Sequence, residues 1–90
     1  MQHALIVEDL PQVREWLLSV LRTAFPHTEV TLASRRDEAL RCVAERSFDL
    51  ALVDLGLPDG SGVDVVGALR HHQPQALPVV VTIYDDDAHL

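Results

Sequence analysis

Ninety residues allow one domain, since domains usually run to about 100–200 residues, and a chain this short buries only about 60–65% of its unfolded surface. Hydrophobic residues make up 48% of the chain and charged ones 23%, a globular rather than a disordered composition. The net charge of −7 has the wrong sign for a surface that grips nucleic acid. All seven basic residues are arginines, and there is no lysine. A single cysteine, Cys42, excludes an intrachain disulfide and a cysteine-built zinc site. No apolar run approaches the about 20 residues of a membrane helix. Met1-Gln2-His3 offers no basic lead into a signal-peptide core, so a cytoplasmic domain with no membrane contact is expected.

Ala4-Leu5-Ile6-Val7 is a continuous apolar run that stops at Glu8-Asp9, as a strand covered on both faces would. Pro11 suits the first turn of a helix, where its missing N–H is not needed. Val13, Trp16, Leu17, Val20, Leu21 and Ala24 then form one helical stripe, and Pro26 ends it. Thr28, Val30 and Leu32 alternate as a second, less buried strand. Ser34 with Asp37 predicts a capping box before a helix whose apolar face is Ala39, Leu40, Val43 and Ala44.

Phe48 to Val53 reads as a third strand ending at Asp54. A loop with Pro58 and Gly60 leads to Ser61, a good N-cap with Asp64 three residues on. Val63, Val66 and Leu69 predict the core stripe of that helix, and Pro74 closes it. Pro78 to Thr82 reads as a fourth strand, and Asp85-Asp86-Asp87 as the acidic first turn of another helix. Strands alternating with helices imply an α/β unit, with right-handed crossovers and a parallel sheet covered on both faces.

Parallel strands all end on one side, which brings Glu8, Asp9, Asp54 and Thr82 to the edge where open α/β sheets bind ligands. An isolated acid at a strand end is ordinarily a solvated turn residue or a helix cap. The conjunction is more informative: acids follow strands one and three, and a hydroxyl ends strand four. Clustered carboxylates repel one another unless a cation joins them, and Mg²⁺ takes mixed carboxylate, carbonyl and water ligands. A carboxylate beside Mg²⁺ is also a competent nucleophile toward phosphorus.

Leu5-Ile6-Val7-Glu8-Asp9, the run Leu52 to Gly62 and Val80 to Asp85 together resemble the receiver domain of bacterial two-component response regulators, of the type preceding a helix-turn-helix DNA-binding domain. The likeness covers nearly the whole chain, and its D-x-x-x-P-x-x-x-G pattern from Asp54 to Gly62 is specific in this setting. It implies a flavodoxin-like three-layer sandwich with strand order 2-1-3-4. It also implies that Asp54 accepts a phosphoryl group from a sensor histidine kinase. Asp9 would bind Mg²⁺ directly, Glu8 would reach it mainly through water, and the Gly56 carbonyl would complete the protein ligands. Thr82 would contact the phosphoryl group and switch, while Gly56 and Tyr84 would tune the lifetime and access of the aspartyl phosphate. Such a domain promotes its own phosphorylation and dephosphorylation rather than turning over a substrate. Its partners would be the kinase, possibly a second copy, and DNA only through an output domain.

Some positions depart from the family pattern. Glu8 stands where aspartate is commoner, and Ile83 where a small residue is usual. The family's fifth strand, its lysine and its fifth helix lie beyond what these 90 residues contain, so residues 1–90 read as a C-terminally incomplete receiver. A degenerate receiver serving as an unphosphorylated dimerisation or scaffold module is the alternative. An aspartate-nucleophile phosphohydrolase would need a second acid two residues after Asp54, where Gly56 stands. His71 and His72 point about 100° apart on a helix and suit an exposed helix end rather than a metal. Cys42 reads as a half-buried small residue, Trp16 as part of the core stripe or its margin, and Arg35-Arg36 as a solvated helix start.

Overall fold

After His3, β1 (His3–Val7) is wholly apolar and buried, and its alternate residues serve two different cores. Leu5 and Val7 point to one face of the sheet, Ala4 and Ile6 to the other, as the two-residue period of a strand requires. The computed structural model describes residues 1–81. Thr82, Ile83, Tyr84 and the acidic run Asp85 to Asp87 lie outside the described residues.

β1 is followed by α1 (Pro11–Ala24), β2 (Glu29–Ala33), α2 (Arg36–Glu45) and β3 (Leu50–Asp54). A hairpin of two-residue strands, β4 (Gly56–Leu57) and β5 (Gly60–Ser61), leads into α3 (Gly62–His72) and then β6 (Leu77–Val81). The main sheet is parallel in the order β2-β1-β3-β6, which is the expected 2-1-3-4 once the hairpin is set aside. One core joins Leu5, Val7, Val53, Val43, Val65 and Leu69 beneath α2 and α3. The other joins Ala4, Ile6 and Leu50 to Leu17 and Leu21 of α1. Helices therefore cover both faces, in the three layers that alternating elements require.

The predicted boundaries shift in places, and so do three helix faces. β3 begins at Leu50 rather than Phe48, because Asp49 turns outward and its carboxylate accepts the N–H groups of Gln2 and His3 at 2.8 and 3.0 Å. On α1 the buried residues are Leu17 and Leu21, while Trp16 is 61% exposed and Val20 45%. The expected stripe was wider than the groove that receives it, and Trp16 lies outside the core. On α3 the buried positions are Gly62, Val65 and Leu69, leaving Val63 59% exposed. Ala44 on α2 is exposed as well.

The Ser34–Asp37 capping box is not formed. Ser34 instead donates its N–H to Glu38 Oε1 at 2.8 Å, and Arg35, at the N-cap, caps nothing with its side chain. Ser61 does cap α3, its hydroxyl accepting the Val63 N–H at 3.1 Å. Cys42 is half-buried, and His71 and His72 sit exposed in the last turn of α3, as expected. Arg36 is half-buried rather than solvated. Among the described residues, no helix is long and apolar enough to cross a membrane.

Candidate functional site

β1 and β3 are adjacent and parallel, so the residues that end them meet at the carboxyl edge of the sheet. Val7 pairs with Val53, which puts Glu8 beside Asp54, with Asp9 on the turn into α1. Glu8, Asp9 and Asp54 each offer a carboxylate oxygen, and these oxygens lie within 4.8 Å of one another. Three of the residues singled out in the sequence are thereby brought together.

Their surroundings differ. Asp9 and Asp54 are half-buried, whereas Glu8 is 1% exposed, and neither of its carboxylate oxygens has a hydrogen-bond donor among the described residues. Burial first, and then the neighbouring Asp54 carboxylate, push the Glu8 carboxyl up to about 7. An unpartnered buried carboxylate is costly, so these oxygens are groups waiting for a cation or a proton.

The backbone around the acids is fixed from three sides. The Glu8 N–H donates to Ala33 O at 2.9 Å, tying the strand end to β2. Arg14, one turn into α1, donates Nη1 to Glu8 O at 3.1 Å and reaches Asp9 O at 3.5 Å. On β3, the Gly56 N–H donates to Asp54 Oδ1 at 3.1 Å, which leaves Oδ2 without that constraint. Gly56 pairs with Ser61 in the hairpin, so the backbone beside Asp54 folds back on itself.

Gly62 explains why the loop closes so tightly. Its N–H donates to Leu55 O at 2.9 Å, and a Cβ on it would lie 2.9 Å from the Asp54 carbonyl carbon and closer still to the oxygen. Only a residue without a side chain lets α3 start against the end of β3.

Sequence reasoning missed Arg14 and Asp59. Arg14 lies on the helix flank that turns toward the acids, and its position five residues after Asp9 was the available signal. Asp59 Oδ1 and Oδ2 accept the N–H groups of Arg36 and Asp37 at 2.6 and 3.0 Å, capping a helix that starts more than twenty residues earlier. These backbone hydrogen bonds hold the Asp59 carboxyl below its ordinary value. No local sequence signal marks a cap supplied from so far away.

The response regulator receiver domain family matches residues 4–90. The chain is 38% identical over 85 residues to the response regulator protein PilR of Pseudomonas aeruginosa, covering 92% of this chain and 18% of that protein. It is 40% identical over 70 residues to the transcriptional regulatory protein KdpE of Mycobacterium tuberculosis, covering 78% of this chain and 30% of that one. A protein-glutamate methylesterase/protein-glutamine glutaminase of Pseudomonas fluorescens is 33% identical over 84 residues, or 93% of this chain and 25% of that protein. The chain thus spans about a fifth to a third of the length of these relatives, and one shared segment serves proteins with unlike names.

Solved structures agree with the sequence relatives. A response regulator from Burkholderia pseudomallei, with a phosphorylated aspartic acid, calcium ion and citrate, superposes with a TM-score of 0.82 at 28% identity, over 98% of this chain and 51% of that one. TrrA from Thermotoga maritima in complex with Mg²⁺-BeF gives 0.82 at 30% identity, over 94% of this chain and 72% of that one. TrrA has also been solved in complex with the histidine kinase ThkA, where it gives 0.79 at 30% identity and the same coverage.

Proposed function

The chain belongs to the response regulator receiver domain family, and on that premise we propose that Asp54 is its phosphoacceptor, taking a phosphoryl group from a phosphohistidine of a sensor kinase. The observation that carries this reading is the meeting of three carboxylates within 4.8 Å, one of them buried with neither oxygen partnered. Such a cluster fits a hard divalent cation, and Mg²⁺ is the natural occupant. Glu8, Asp9, Asp54 and the Gly56 carbonyl would hold it, with Glu8 acting mainly through water. Mg²⁺ when bound would offset the carboxylate charge and stabilise phosphoryl oxygens.

The chain's own residues do the rest. Asp54 Oδ1 is held by the Gly56 N–H, so Oδ2 is presented to an incoming phosphorus. Oδ2 forms the new O–P bond as the N–P bond of the phosphohistidine breaks, and the departing imidazole nitrogen keeps the electron pair and can take a proton from solvent. The product is an acyl phosphate on Asp54. Arg14 keeps the Glu8–Asp9 turn in register through its carbonyl contacts. By resemblance, Thr82 would contact the phosphoryl group, and Gly56 and Tyr84 would set how fast water reaches it.

The ThkA–TrrA complex supports a kinase partner, and the KdpE likeness supports a transcriptional output in which parts of a longer protein touch DNA. A second copy is a further candidate partner. The reading also includes a cytoplasmic location, where a histidine kinase draws on ATP, and a phosphoryl-accepting switch rather than a turnover enzyme. Nothing in the geometry favours an unphosphorylated scaffold, and the unpartnered Glu8 argues against one.

Intact-mass spectrometry after treatment with acetyl phosphate and Mg²⁺ should show the mass of one phosphoryl group, absent from Asp54→Asn. No added mass on the wild-type protein, or the same added mass on Asp54→Asn, would refute the assignment.

A further inference from the structure

Asp59 is bound more firmly than a surface loop residue needs to be. Its two carboxylate oxygens accept the first free N–H groups of α2, from Arg36 at 2.6 Å and Asp37 at 3.0 Å. Arg35 Nε lies 3.9 Å from Oδ2, and the side chain is only 14% exposed. Helix α2 has no capping side chain at its own N-cap, so these orphan donors depend on Asp59.

Asp59 sits in the two-residue turn of the β4–β5 hairpin, between Pro58 and Gly60. Gly56, Pro58, Gly60 and Ser61 are exposed, so besides the Gly56 N–H on Asp54 the hairpin is held by buried Leu57 below and Asp59 at its tip. Arg36 extends the junction, since its Nε lies 3.3 Å from Asp64 Oδ2 in the first turn of α3. Gly60 accommodates the crossing with a φ of 156°, and a Cβ there would fall 2.6 Å from Arg36 Cδ. The hairpin therefore cannot swing away from Asp54 without uncapping α2.

We propose that Asp59 is a positioning residue for the acidic site, locking the hairpin to α2 so that the Gly56 N–H stays on Asp54. An ordinary cap comes from the residue just before its helix and constrains nothing else. This one comes from the loop that follows Asp54, so the same two hydrogen bonds that start α2 also set the backbone beside the phosphoacceptor. The inference rests on the functional reading above, and it assigns a role to a residue outside the acidic cluster.

The test compares Asp59→Ala, Asp59→Asn and Ala39→Gly in the full-length protein, with thermal stability measured for each. Ala39 is buried on α2 in the same core as Leu57 but takes no part in the Asp59 hydrogen bonds, so Ala39→Gly weakens the helix while leaving that cap in place. Mg²⁺ titration followed by amide resonances, and hydrogen exchange at the Gly56 and Gly62 amides, are the readouts. Asp59→Ala should weaken Mg²⁺ binding about tenfold, the usual cost of losing a residue that orients a ligand, and speed both exchange rates. Asp59→Asn, which still accepts an N–H, should recover most of the loss. Ala39→Gly should leave both readouts unchanged even where its melting temperature falls as far. Unchanged Mg²⁺ affinity in Asp59→Ala, or an equal loss in Ala39→Gly, would overturn the proposal. A wild-type protein that binds no Mg²⁺ refutes the functional reading itself, an outcome seen without any variant.

Discussion

Glu8 makes the metal-free protein pH-sensitive in a direction that can be worked out from its surroundings. The perturbation is Glu8→Gln, which keeps the shape of the buried side chain and removes its ionisation. In the folded protein the Glu8 carboxyl is pushed up to about 7 from an ordinary value of 4.5, first by burial and then by Asp54. Between those two values the folded chain keeps a proton that the unfolded chain has already released. Stability is therefore full below the lower value, falls as pH rises through the interval, and levels off above the upper one. At about 1.4 kcal/mol for each pH unit, the interval amounts to about 3 kcal/mol. Urea unfolding by circular dichroism in EDTA, from about pH 5 to about pH 8, should show that loss in the wild-type protein and a nearly flat profile in Glu8→Gln. Subtracting the two profiles cancels the groups that do not interact with Glu8. The Asp49 and Asp59 carboxyls, both held down by backbone hydrogen bonds, contribute stability that is lost only as pH falls below their ordinary 3.8. Saturating Mg²⁺, at about a hundred times its Kd, should return about 2.7 kcal/mol at the alkaline end and nothing comparable in Glu8→Gln. A metal-free wild-type protein as stable at the alkaline end as at the acid end, or a Glu8→Gln profile with the same slope, would refute the reasoning.

Gly62→Ala should cost about 3 kcal/mol or more, because its methyl group would overlap the Asp54 carbonyl, and phosphoryl uptake should fall with it; urea titration and intact mass check the two effects. Gln73→Ala should separate stability from function. Gln73 accepts the Phe48 N–H at 2.7 Å and donates to Val43 O at 2.8 Å and to Arg46 O, so its loss should cost about 1–3 kcal/mol. That clamp lies at the opposite edge of the sheet from the acids, so Mg²⁺ affinity should be unchanged when measured by titration. Leu5→Ala, in the middle of the fully buried central strand, should cost about 2–5 kcal/mol by chemical denaturation.

The order of elements and the position of the acids were legible because both follow from one-dimensional patterns. A short apolar run that stops at acids reads as a strand end, and parallel strands share an edge, so the sequence alone brings Glu8, Asp9 and Asp54 together. Helix phase was not legible in the same way. On α3, Val63, Val66 and Leu69 form one plausible stripe and Val65 and Leu69 another, since steps of three and of four both keep to one helix face. The choice is made by Gly62, which must face Asp54 and so carries Val65 and Leu69 inward with it. Trp16 misled for a different reason: hydrophobicity marks a side chain as able to be buried, not as needed there. The α2 cap was beyond reach, since Ser34 and Asp37 have the right spacing while the actual acceptor, Asp59, comes from another element. The burial of Glu8 was also invisible, because an acid at a strand end looks alike in sequence whether it is solvated or enclosed.

The distribution of positive charge argues that the acidic cluster exists for a ligand. A structural cluster of acids is normally answered by arginine or lysine, and the described ion pairs follow that pattern at Asp59, Asp37 and Asp64. At Glu8, Asp9 and Asp54, by contrast, the described residues place no cationic side chain within ion-pair distance. Arg14, the nearest guanidinium contact, is directed at the backbone carbonyls of Glu8 and Asp9 instead of their carboxylates. The fold thus tolerates a local repulsion that a single neighbouring substitution could relieve, and it does so at the edge where α/β sheets bind ligands. The unrelieved repulsion is what a divalent cation would relieve on binding, and on the proposed reading a cation held there would let Asp54 accept a phosphoryl group. Relief by a built-in arginine would stabilise the fold and forfeit the site.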